Sequence, residues 1–315
     1  MHRRTRGLVA AILVLLFATA NAAPKHRDPN QHRSAQHTLT QAPDPNALYR
    51  IVANDKVHIQ VLEQGKGPPI AILPSLGRGA RDFDKVAVLL SDQGYRVLRL
   101  QPRGIGLSTG PMTDLTLHDY AADVALVLQH EAQEPAIIVG HDWGNWVART
   151  LAVDQPALVR AVVLAAAPPG EASGGGGPPI PPEIREALDK SSDTSLPTDE
   201  RLQYLRLAFF APDHDPRVWL TGWHPAAQKA EAAAAAATPV EQWFAAGHAP
   251  ILELQAENDA VAPQRFSRTL EKALGNRVTV IEIPRAGHAL VPEQPEAVAA
   301  AIGAYAQTLR TVSLR

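Results

Sequence analysis

Val139-Gly140-His141-Asp142-Trp143-Gly144 joins a short apolar run, Ala136–Val139, to a stretch of helical period, Trp143–Ala152. Two glycines flank the turn, and a strand that folds sharply into a helix needs small residues where neighbouring backbone approaches closely. Such a turn lifts its middle side chain, Asp142, to the carboxyl end of a sheet, where open α/β folds place their ligands. The positive end of the following helix favours an anion there. In isolation, Asp142 also reads as a plain helix cap.

Outward from this turn the chain alternates strand and helix signals. Leu48–Ala53 and Val57–Glu63 form a first strand pair, and Pro69–Leu73, Arg96–Leu100 and Ala161–Ala165 are further buried strands. Phe83–Leu90 and Leu115–His130 carry helical period, the latter with Leu117, Tyr120, Val124, Val127 and Leu128 on one face. Buried strands alternating with helices specify a mostly parallel sheet with helices on both faces. The alternation stops at a Gly/Pro segment, Pro168 to Pro182, after which only helix signals follow. Thr198 is an expected N-cap, Ala232–Ala237 is a run of strong helix formers, and Thr238-Pro239-Val240-Glu241 reads as a capping box for a helix closed by Gly247. The α/β pattern then resumes with Ile251–Gln255, Pro263–Leu274, Val278–Ile283 and Glu296–Leu309. The expected organisation is an α/β core over 47–169 and 249–315, with a helical lid over 170–248 inserted after the sixth strand.

The first residues read as a targeting segment. Three arginines precede an apolar stretch, Gly7 to Ala20, that is too short for a membrane span of roughly 20 residues, and Ala20-Asn21-Ala22 offers a cleavage site. Residues 1–22 are expected to be a signal peptide, which implies export to the periplasm or medium and no stable membrane insertion afterwards. Residues 23–46, polar and broken by four prolines, are expected to form a disordered leader, and their scattered His26, His32 and His37 are solvated rather than metal ligands. Removing 1–22 deletes three arginines and no acids from a chain that already carries net charge −2. That balance argues against a nucleic-acid partner, which calls for a basic surface. There are no cysteines, so thiol nucleophiles and thiolate-held metals are excluded.

Chemistry-bearing residues recur at strand ends. Asp142 occupies the middle position of the glycine spacing seen in nucleophile elbows. Asp259 follows the next-to-last strand, with Glu257 as a rival carboxylate, and His288 follows the last. Nucleophile, acid, histidine is a triad order. The Gly140-His141-Asp142-Trp143-Gly144 turn and the Gln101-Pro102-Arg103-Gly104-Ile105-Gly106-Leu107-Ser108 loop resemble those of the α/β-hydrolase superfamily, in its epoxide hydrolase and haloalkane dehalogenase branch. The resemblance covers 48–310 outside the lid. It implies an α/β-hydrolase fold, Asp142 as nucleophile, Asp259 as the acid that orients His288, and His288 as base, with a small-molecule substrate and no cofactor or metal. The branch's H-G-x-P loop is here Pro74-Ser75-Leu76-Gly77, so the backbone N–H of Leu76 is the expected oxyanion donor beside that of Trp143. Epoxide opening in the branch uses lid tyrosines, for which only Tyr204 is available, and halide binding uses the Trp after the nucleophile, matched by Trp143, with lid tryptophans Trp219 and Trp243 as further ligand contacts. A carboxylate nucleophile suits a saturated electrophilic carbon, because attack there gives an alkyl ester that activated water can hydrolyse. The expected activity is therefore epoxide hydrolase-like. The alternatives are a haloalkane dehalogenase-like enzyme, another hydrolase using Asp142 only as acid or base, and a degenerate binding protein on the same scaffold.

Overall fold

The computed structural model describes residues 46–168, 180–264 and 268–312. The signal and leader segments expected over 1–45, and the Gly/Pro stretch over 169–179, lie outside the described residues. The strands are β1 (Leu48–Ala53), β2 (His58–Gln64), β3 (Pro69–Leu73), β4 (Arg96–Leu100), β5 (Ala136–His141), β6 (Val159–Ala165), β7 (Ile251–Ala256) and β8 (Val278–Ile283). They form one sheet in the order β1-β2-β4-β3-β5-β6-β7-β8. The β1–β2 and β2–β4 pairs are antiparallel and all others parallel. The alternation implied a mostly parallel sheet, and the strand order is the α/β-hydrolase arrangement that the resemblance implied.

The helices are α1 (Asp84–Asp92), α2 (Leu117–Glu131), α3 (Trp143–Asp154), α4 (Pro182–Ser191), α5 (Thr198–Ala208), α6 (Pro225–Ala237), α7 (Thr269–Leu274), α8 (Leu290–Glu293) and α9 (Pro295–Val312). Strand side chains alternate between the two faces. In β3, Ile70 and Ile72 enter a core shared with α1 and α9, while Ala71 and Leu73 enter the opposite core with α2 and α3. Each fully buried Ile, Leu or Val there contributes about 1.5–3 kcal/mol. A third, smaller cluster gathers Leu205, Phe209, Phe210 and Trp219 against Ala289, beside the loop that follows β8.

Helices α4, α5 and α6 stand between β6 and β7, as the interrupted alternation implied. Two details differ from expectation. Thr198 is the first residue of α5 rather than its cap, because Pro197 precedes it with φ −55° and ψ 144°. Thr238 opens no capping box, and only a single 3-10 turn, Val240–Gln242, follows it. Its hydroxyl instead donates to the Ala234 carbonyl (2.8 Å) and accepts from the Leu117 N–H (2.9 Å), closing α6 and opening α2 at once. The helix expected over Pro263–Leu274 is present from Thr269, and residues 265–267 are not described. Among the described residues no helix is long and apolar enough to cross a membrane.

Candidate active site

β5 ends at His141, and α3 begins at Trp143. Asp142 alone spans the joint, with φ +48° and ψ −115°. This backbone region is costly for a residue with a Cβ and persists only where the surroundings enforce it. The two glycines make it possible. A Cβ on Gly140 would lie 2.3 Å from the Gly144 carbonyl oxygen, and one on Gly144 would lie 2.6 Å from that of Leu73.

The turn aims the Asp142 carboxylate at the loop after β3. Its Oδ2 accepts from the Ser75 hydroxyl (2.8 Å) and from the Leu76 N–H (3.3 Å). The Trp143 N–H belongs to the first turn of α3, whose donors lack intrahelical acceptors. Asp142 Oδ1 lies 3.6 Å from His288 Nε2. His288 is buried, and its Nδ1 sits 3.1 and 3.0 Å from the two oxygens of Asp259. Asp259 is fixed in turn by the N–H groups of Val261 and Ala262, both at 2.8 Å. Asp142, Asp259 and His288 therefore meet as expected, and so does the Leu76 donor. Glu257, the rival carboxylate, is exposed and accepts from the Arg285 N–H (2.7 Å) instead.

Charge in the site is set by proximity. Loss of water would raise the Asp142 pKa, but the hydrogen bond and charge of His288 outweigh it and hold the carboxyl well below its usual range. Desolvation would lower the His288 pKa, yet the charges of Asp259 and Asp142 raise it to about 10. The His288 imidazole is thus biased toward its charged form beside the Asp142 carboxylate. Behind it, His141 Nε2 lies 2.8 Å from the His288 carbonyl. A carbonyl only accepts, so His141 donates there. Burial lowers its pKa to about 4, which keeps it neutral.

The residues between β6 and β7 close on this centre. A Cβ on Gly287 would meet the Phe209 carbonyl oxygen at 2.5 Å, so only glycine lets that segment press on the His288 loop. Glu293 pins the contact, accepting from Ala211 N–H (2.7 Å) and Gly287 N–H (2.6 Å). The phenyl ring of Phe209 stands 5.7 Å from the His288 imidazole. An apolar cavity beside the turn is lined by Leu73, Pro74, Leu100, Tyr120, Trp143 and Val147, among others.

The expected leaving-group residues are placed elsewhere. The Trp143 indole N–H donates to the Glu231 carbonyl (3.1 Å), which removes it as a halide donor. The Tyr204 hydroxyl donates within its own helix to Glu200 (3.4 Å). Trp243 is core, stacked near Trp146 with the Arg149 guanidinium 4.6 Å from its ring. Trp219 is buried in the third cluster, 6.1 Å from the His141 ring and covered by Arg78 at 4.5 Å.

Two polar residues at the site escaped the sequence reading. Ser75 was visible only as a neighbour of the Leu76 donor. Glu231 is buried on α6, in line with Ala227 and Ala234. A lone acid at i+4 on an otherwise alanine face was its signal. Among the described residues no group of three or more His, Asp or Glu is arranged to hold a metal.

Residues 70–301 match the model of the Alpha/beta hydrolase family. Over 116 residues the chain is 33% identical to the 2-(acetamidomethylene)succinate hydrolase of Mesorhizobium japonicum, covering 37% of this chain and 41% of that protein. Over 126 residues it is 34% identical to Epoxide hydrolase A of Mycobacterium tuberculosis, covering 36% of this chain and 37% of that one. The match thus spans less than half the length of these two relatives. An esterase from Exiguobacterium antarcticum superposes with a TM-score of 0.68 at 19% identity, over 82% of this chain and 98% of that one, which shows a shared fold.

Proposed function

Because the chain belongs to the alpha/beta hydrolase family, whose model spans residues 70–301, we propose that it is a hydrolase using Asp142 as a nucleophile on an electrophilic saturated carbon, in the manner of epoxide hydrolases. One observation carries this reading. The Asp142 carboxylate stands at a strained turn with donors on Oδ2 and His288 Nε2 3.6 Å from Oδ1.

A carboxylate held ionised attacks without a base. Attack on carbon breaks a C–O bond of the epoxide and leaves an alkyl ester on Asp142. The epoxide oxygen takes up a proton as its C–O bond breaks, and esterification removes one of the two negative charges that raise the His288 pKa, so the imidazolium makes good that proton and becomes a base. His288, oriented by Asp259, then deprotonates water attacking the ester carbon. Leu76 N–H, Ser75 Oγ–H and the Trp143 N–H stabilise the oxyanion that forms on Asp142. Collapse returns the His288 proton to the departing alcohol oxygen, and Asp142 ionises again. Helices α4 to α6 act as the lid, and the order of basic, apolar and A-x-A residues in 1–22 supports export.

The engaged Trp143 indole favours epoxide opening over halide expulsion. The assembled triad speaks against a degenerate binding role. Intact-protein mass spectrometry tests the scheme. His288→Gln exposed to a panel of epoxides should accumulate an adduct on Asp142, while Asp142→Asn in the same background should not. No adduct and no turnover across a broad panel of epoxides and haloalkanes would remove the proposal.

A further inference from the structure

We propose that Glu231 is the acid that protonates the oxygen leaving in the first step, a role that rests on Asp142 being the nucleophile. Three contacts place it. Gly77 N–H donates to Glu231 Oε2 at 2.6 Å, and the preceding residue, Leu76, donates to Asp142 Oδ2. Two consecutive N–H groups of one loop therefore each engage one of the two carboxyl groups. The backbone carbonyl of Glu231 takes the indole N–H of Trp143, the residue after the nucleophile, fixing α6 against the turn. Glu231 is fully buried, and its second oxygen, Oε1, is without a hydrogen-bond partner among the described residues.

Its ionisation suits the task. Burial pushes the Glu231 carboxyl up to about 8, the Gly77 N–H opposes this, and the negative charge of Asp142 adds to it. The buried Tyr120 phenol lies within reach of the Glu231 charge, its pKa pushed up first by desolvation and then by that charge. Glu231 thus holds a proton at neutral pH, beside a carboxylate that does not. This division of two neighbouring carboxyls into acid and nucleophile follows from their different surroundings.

Asp142 forms a bond to the epoxide carbon, the C–O bond electrons pass to the oxygen, and the Glu231 proton goes to that oxygen. Glu231 is left as carboxylate beside an uncharged ester. The proton that His288 then releases restores Glu231; hydrolysis at the ester carbon frees the diol with the attacking oxygen of Asp142, and water replaces that oxygen in the carboxylate and supplies the two hydrogens.

The test separates leaving groups that need a proton from those that do not. In the His288→Gln background, adduct formation on Asp142 is timed with styrene oxide and with methyl benzenesulfonate. Glu231→Gln keeps an acceptor for Gly77 and carries no acidic proton. It should slow labelling by the epoxide about 100-fold and labelling by the sulfonate less than about twofold. Equal slowing with both probes, or unchanged epoxide labelling, overturns the role of Glu231 while the nucleophile stands. Absence of adduct from either probe with Glu231 intact overturns both readings. If Glu231→Gln does not fold, the pH course with Glu231 present decides the matter. Epoxide labelling should fall as the carboxyl ionises, near pH 8, while sulfonate labelling holds level. Parallel courses for the two probes overturn the proposal.

Discussion

Asp142 holds its side chain in place at the expense of its backbone, with φ +48°. A glycine relieves such a conformation, whose cost to an L-residue is roughly 1–2 kcal/mol. Asp142→Gly should therefore unfold about 1 kcal/mol later than Asp142→Ala in urea, with both inactive. Equal stabilities would mean that the turn is not strained. The meeting of Asp142, Asp259 and His288 was legible because the proposed roles need particular residue types at particular strand ends, and order alone narrows the choice. The leaving-group residues were not. An indole N–H or a phenol in a sequence says nothing of its partner, and Trp143 and Tyr204 are both satisfied by oxygens no motif specifies. Glu231 was hidden for a related reason, since its pKa comes from burial against a loop 154 residues away.

Among elements, strands were the most legible. β1, β3, β4 and β8 have the bounds that their patterns imply; for β3 and β4 the reason is burial on both faces, which tolerates little else. The segment after α6 was misread. A capping box is a local pattern, whereas the Thr238 hydroxyl is engaged by Leu117, 121 residues away, and by Ala234. Thr238→Val preserves shape and removes both bonds, leaving the buried Leu117 N–H without an acceptor. It should lower stability by about 1–3 kcal/mol in thermal or chemical unfolding, with α2 and α6 losing hydrogen-exchange protection together. A loss confined to α6 would contradict the shared cap.

For the whole molecule, two groups make stability depend on pH in one direction. The Glu231 carboxyl has a native pKa of about 8 against an ordinary 4.5, so between those values the native state holds a proton that the unfolded chain has lost. Stability therefore falls as pH rises through that window, by an amount on the order of 4 kcal/mol. His288 is raised to about 10 from 6.5, so its contribution is full below pH 6.5 and is lost as pH climbs toward 10. Melting temperature should peak in mild acid and decline with alkali. Glu231→Gln should shrink the decline between pH 5 and 8, where Glu253, raised by burial to about 7, also contributes, and leave the later one. A wild-type profile flat from pH 5 to 9 would contradict both assignments. The double anchorage of α6, through the Trp143 indole and the Gly77 amide, also bears on engineering. Exchanging 180–248 for a relative's insertion would cut both tethers and disturb the catalytic floor, so the roof of this molecule is not a detachable module. Substrate range is better altered along the flanks of that helix than by replacing it.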